Sequence, residues 1–219
     1  MVSRFSGTRP QAPSRAAGRT AVPLDGDATL FARALVGLRE VVVRPELVLE
    51  EVPAPSRLAP HSVALSGEVV PSYLTEDDDP DATGRFVLLH DPASPEPWEG
   101  PWRVVTYAKA QMEPEVGQDP LAGQAGWSWL TDALEAGSLG WTAAAGTVTC
   151  VTSESFGALA ERAPTVDLEI RASWTPVLTD GAEGEELAAH LRAWGDLLCT
   201  LAGLPPLPDG VVALSGPRR

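Results

Sequence analysis

The side chains that chemistry draws on are spread thinly along this 219-residue chain. The densest group of possible metal ligands lies in Thr75 to Gly84, TEDDDPDATG, where Asp77, Asp79 and Asp81 repeat the opening of a calcium loop. Such a loop needs glycine at its sixth position for the sharp turn and a bidentate glutamate at its twelfth. Ala82 and Leu88 stand there instead, and Pro80 stiffens the middle, so the stretch reads as an acidic solvated loop. His61, His90 and His190 are the only histidines, and no two have the spacing that brings a pair of imidazoles to one ion. Cys150 sits among valines and threonines, with no basic neighbour or helix start to stabilise a thiolate. Neither it nor Cys199 belongs to a C-x-x-C pair, and both are expected to be buried, reduced thiols. Ser153 and Ser155 flank Glu154 without the G-x-S-x-G elbow of a hydrolase nucleophile. Phosphate-cradling glycine loops and the H-E-x-x-H zinc pattern are missing as well. The expectation is no catalytic residue, no metal and no cofactor.

Binding is the remaining chemistry, and two groups of residues suggest it. Trp98 and Trp102 flank Gly100 and Pro101 in a loop. With Arg103 and His90 they would surround one mouth of a sheet, a site for a small molecule or an enzyme's substrate. Glu46 and Glu50 alternate with Leu47 and Leu49, which gives one strand an acidic face. At a sheet edge its unpaired backbone would accept a partner's strand, and the acids would select a basic one. The missing catalytic motifs favour this second case, a non-catalytic protein-binding or chaperone-like module. The small-molecule site is the alternative.

Charge narrows the partners. The net charge is −14, yet residues 1–24 carry four arginines and no acid. Every one of the 30 acids therefore lies in the body that follows, which is strongly negative and repels phosphate backbones. A nucleic-acid grip by the folded part is disfavoured, and a protein partner is expected, with a homodimer open as an option. The first residues lack the continuous apolar core of a secretory signal. No run approaches the roughly 18 apolar residues of a membrane span. With two unpaired cysteines, these features place the protein in the cytoplasm.

The elements that must position these residues follow from periodicity. Residues 1–25 form a basic tail with no apolar stripe, expected to be disordered. A helix begins near Asp25 or Asp27, with Leu30, Phe31, Ala34, Leu35 and Leu38 on one face. Strands are expected over 46–52, 61–70, 84–91 and 102–112. A second helix carries Trp127, Leu130 and Leu134 and stops at Gly137. A β-branched strand, 147–152, and the well-alternating strand 166–174 come next. Leu187, Leu191, Trp194, Leu198 and Leu201 then form the stripe of a final helix, closed by Gly203 and two prolines. The last residues, 215–219, read as a short basic terminus.

This order (one helix, four strands, a helix, two strands, a helix) predicts an α+β domain over 26–214. Its core would be a single antiparallel sheet of about six strands, with three helices mainly on one face. The order is similar to that of the type III secretion chaperone-like fold, from which it departs by one extra strand. The segments RPELVLEEVPAPSRLAPHSVAL (44–65), GRFVLLHDP (84–92), GWSWLTDALE (126–135), GTVTCVTSESFG (146–157), EIRASWTP (169–176) and AWGDLLCTLAGLPP (193–206) carry a further likeness. Through them the chain resembles the actinobacterial family catalogued as domain of unknown function 3000. The resemblance implies a cytoplasmic actinobacterial protein and supplies no catalytic residues.

Overall fold

The structure, a computed structural model, describes residues 26–70 and 79–204. The tail expected over 1–25, the basic terminus 215–219 and most of the acidic loop lie outside these residues. Helix α1 (Gly26–Arg39) leads into a meander of β1 (Leu47–Val52), β2 (His61–Val69), β3 (Ala82–His90) and β4 (Trp102–Met112). Helix α2 (Ala122–Ala136) then crosses to β5 (Trp141–Ser153), which returns through β6 (Thr165–Pro176) to α3 (Glu183–Leu201). The six strands form one antiparallel sheet in the order β1-β2-β3-β4-β6-β5. The α+β class and the element order are as the sequence predicts.

The last two strands do not follow chain order. Strand β6 inserts beside β4 and leaves β5 at the edge. Composition explains the choice, because an interior strand must bury one face completely. Val166, Leu168, Ile170, Ala172 and Trp174 supply that face in β6, all at most 5% exposed. Strand β5 offers the smaller set Gly146, Val148, Cys150 and Thr152 on that side.

The three α-helices among the described residues lie against one face. Helix α3 packs between α1 and α2, with Leu187, Leu191, Trp194, Leu198 and Leu201 buried as their spacing predicts. Glu183, Glu185 and Glu186 occupy its first turn, where carboxylates complement the helix dipole. The Trp194 indole rests on the sheet above Gly67 and Gly84. A Cβ at Gly67 would meet its ring at 2.7 Å, and one at Gly84 would meet it at 2.8 Å. These strand glycines make room for the tryptophan, and Phe86 packs beside it with ring centroids 5.7 Å apart. A second pair sets the approach of the helices, since a Cβ on Gly37 of α1 would fall 2.0 Å from the Gly184 carbonyl oxygen of α3.

Candidate functional site

Among the described residues no helix covers the opposite face of the sheet. Strand alternation sends Thr83, Arg85, Val87 and Leu89 of β3 to this open side, with Arg103, Val105, Tyr107 and Lys109 of β4 and Asp167, Glu169, Arg171 and Ser173 of β6. One end is closed by Trp98 and the loop after β1. Trp98, Val52, Ala54 and Ala59 pack there on a small cluster of Ala64, Val87 and Leu89. Beyond it lies an open groove of about 610 Å³.

Cross-strand register builds this groove. Arg85 pairs with Tyr107, Tyr107 with Arg171, and Arg171 with Thr147, so four neighbouring strands contribute one row. The next row, Val87, Val105, Ser173 and Ala145, supplies an apolar floor and one hydroxyl. The Arg171 guanidinium lies 5.5 Å from the centre of the Tyr107 ring, and its Nη2 pairs with Glu169 at 2.8 Å. Burial, then the neighbouring Glu169 carboxylate, raises the Tyr107 hydroxyl above its ordinary pKa. Arg85 is exposed and has no ion-pair partner among the described residues. Arg57 and Arg162 are also exposed without an ion pair among the described residues, but of the three only Arg85 lines the groove.

Arg103 has a different task. It is 7% exposed and spends its donors inside the protein. Nη1 donates to the Ala143 carbonyl at 2.9 Å and to the Thr175 hydroxyl at 3.1 Å, while Nη2 donates to Ser173 Oγ at 2.7 Å. Ala143 has φ of 49° and lies in the bulge where β5 slips register against β6. The guanidinium thus ties that bulge to β4 and β6. Thr175 in turn donates to the Trp98 carbonyl. Burial works against the charge on Arg103, and nearby Glu99 offsets part of this. Because Ser173 Oγ accepts from Arg103, its own proton is free to point into the groove.

The cluster expected of Trp98, Trp102, Arg103 and His90 is divided by the sheet. Trp102 and Arg103 are consecutive strand residues and point to opposite faces. His90 and Trp102 lie on the helix side, ring centroids 4.2 Å apart, in a stack with His61 and Phe31. Burial, then the charge of His61, holds the His90 pKa below the ordinary histidine value, and its Nδ1 has no hydrogen-bond partner among the described residues. Arg103 and Trp98 belong to the open side. His190 accepts from Trp174 Nε1 at 3.2 Å through Nδ1, and the Gly140 carbonyl accepts from its ring. Burial drives its pKa down to about 4.

Other expected sites are redistributed too. Strand β1 lies at a sheet edge, but Glu46 precedes it and is engaged by Arg44, with contacts of 3.3 and 3.4 Å. Burial alone would raise its carboxyl, yet the Arg44 hydrogen bond and charge hold it below the usual range. Glu50 faces the open side of β1, opposite Ser66. Cys199 is buried, but Cys150 is exposed, contrary to expectation. The cause is position: among the described residues β5 has no neighbour on its outer side, and the helix layer leaves its second half uncovered. Ala82 to Leu88, which would complete a calcium loop, are strand. Among the described residues no three His, Cys, Asp or Glu side chains group as metal ligands would. Among them, too, no helix is long and apolar enough to cross a membrane.

Residues 27–212 match a family described as a protein of unknown function, DUF3000. The chain belongs to this family. No curated protein and no solved structure matches it. In this DUF3000 chain the groove on the open face is therefore read from its own side chains. Its donors are Arg85, the Ser173 hydroxyl and the Thr147 hydroxyl, set beside apolar Val87 and Val105.

Proposed function

We propose that this DUF3000 protein is a cytoplasmic, non-catalytic binding module that holds a segment of another protein in its open-face groove. One observation carries the reading: Arg85 stands exposed and, among the described residues, without an ion-pair partner, beside a strip of valine and alanine, in a chain whose net charge is −14. A guanidinium next to an apolar strip suits an extended segment with a carboxylate and a neighbouring apolar side chain. Long anionic polymers such as nucleic acid meet the field of the whole acidic body before they reach this local patch. The partner chemistry is thus acidic and apolar, not the basic strand that Glu46 and Glu50 suggested. A small molecule centred on Trp98, Trp102, Arg103 and His90 gains no support, because the sheet separates those side chains.

The test is selection of a random peptide library on the immobilised chain. Enriched peptides should place an aspartate or glutamate beside an apolar residue. Their affinity should fall at least tenfold for Arg85→Glu and for Val105→Asp. It should hold for the double substitution Glu46→Lys, Glu50→Lys. Peptides that bind Arg85→Glu as well as the wild type would refute the groove.

A further inference from the structure

We infer that β5 is the contact strand of a symmetric dimer, pairing antiparallel with β5 of a second copy. Among the described residues neither edge of this sheet is paired on its outer side, but the two are not equally guarded. Strand β1 is six residues long, carries Glu50 and Glu51, and runs into Pro53. Strand β5 is 13 residues long, WTAAAGTVTCVTS, with no charge and no proline. From Ala145 to Ser153 only Val148 is partly covered, and every other residue is exposed. A long, uncharged, β-branched edge is a template for another strand, and proteins block such edges unless they are used. Beside it stand Val151 at 42%, Phe156 at 77% and Leu159 at 47% exposure, apolar side chains gathered at and just after the end of β5.

A second copy fits this edge better than a foreign strand chosen by charge. The edge gives a charged partner nothing to recognise. The acids next to it on β6 are already neutralised, Asp167 by Lys109 at 3.1 Å and Glu169 by Arg171 at 2.8 Å. The bulge between Thr142 and Ala145 ends the regular ladder, leaving the stretch 145–153 with Thr149 at its centre. A two-fold axis there sets Thr147 opposite Val151 and Val148 opposite Cys150, so no like charges meet. It also carries Phe156 to the level of the partner's Thr142, where the ladder stops. Ala145, Gly146 and Thr147 form one wall of the groove, so the pairing would join the two open faces into one surface.

Analytical ultracentrifugation of the full chain from 1 to 50 µM tests this. The wild type should sediment at twice the monomer mass. Thr147→Lys with Thr149→Lys should raise the dimer dissociation constant more than tenfold and leave the circular dichroism spectrum unchanged. Should that pair fail to fold, Thr149→Lys alone carries the same comparison. Val48→Lys, on the other edge, should leave the dimer intact. In the antiparallel register the two Cys150 side chains are diagonal neighbours about 7–8 Å apart at the backbone, within reach of a short bismaleimide. Cross-linked dimer should form in the wild type and vanish in Cys150→Ser. A monomer throughout the range, or a dimer indifferent to the lysines, overturns the inference.

Discussion

On the helix side of β3, Gly84, Phe86 and Leu88 lie beneath α3, and His90 beneath α1. On the other side of the same strand Arg85 is exposed and Val87 floors an open groove. Both sets come from one run of nine residues, sorted only by the period of two that a strand imposes. The covered side is specified by shape, with glycines placed under an indole and a helix pair drawn together at Gly37 and Gly184. The open side is specified by charge and hydroxyls: its buried cation, Arg103, bonds within the protein, Lys109 and Arg171 are ion-paired, and the exposed Arg85 has no ion-pair partner among the described residues. Stability is concentrated on one side of the sheet, and the groove proposed for recognition lies on the other.

The sharpest way to break this contrast is to cut both sides and compare. Trp194→Ala removes a fully buried indole from above Gly67 and Gly84 and should cost about 3–5 kcal/mol. Arg85→Met, on the open side, should change stability by less than about 0.5 kcal/mol. Urea unfolding followed by tryptophan fluorescence measures both. Equal losses would mean that the open face also holds the fold together.

Acid should act through the covered side next. His190 is buried and neutral, with its pKa driven down to about 4 from the ordinary 6.5. A depressed histidine binds its proton more weakly in the folded state than in the unfolded one. Its contribution is therefore complete above pH 6.5, declines as the pH falls, and is lost by about pH 4. The full loss is about 3 kcal/mol from the two pKa values. His90, lowered in the same direction by burial and by His61, adds to the same slope. His190→Gln keeps one acceptor for Trp174 and one donor for Gly140 but cannot titrate. The wild type should lose more stability than this variant between pH 6.5 and 4, and parallel profiles would exclude His190 as the acid-sensitive group.

Much of the covered side was legible in the sequence because it rests on local periodicity. Strand β4 spans Trp102–Met112 as expected, and the leucine-tryptophan stripe of α3 is buried throughout. The open side was less legible. The row of Arg85, Tyr107 and Arg171 exists only once β3, β4 and β6 are placed side by side in register, and no local pattern states that order. The separation of Trp102 from Arg103 was available, since neighbours in a strand point to opposite faces. Both residues open the strand expected over 102–112, and grouping Trp102 with Trp98 across the Gly100–Pro101 loop concealed it. The insertion of β6 between β4 and β5 also decides the fate of Cys150, whose valine neighbours suggested burial. A β-branched run signals strand, but it does not distinguish an interior strand from an edge.

The two cysteines give the finest measure of that difference, with almost no cost in stability. Cys199 lies on α3 at 1% exposure, and burial pushes its thiol up to about 11, so both access and ionisation hold it inert. Cys150 lies on the uncovered half of β5 with its side chain exposed. A thiol reagent such as dithiobis-nitrobenzoate, added at neutral pH to submicromolar protein, should therefore modify one thiol per chain quickly. The second should react only as fast as the helix layer opens, which makes its rate a gauge of unfolding. Cys150→Ala should remove the fast phase and shift stability by less than about 0.5 kcal/mol, because an exposed side chain leaves no cavity behind. In Trp194→Ala the slow phase should accelerate while the fast one stays the same. If both thiols react together in the wild type, α3 does not seal its side of the sheet. If neither reacts, β5 is covered along its second half even in the dilute chain.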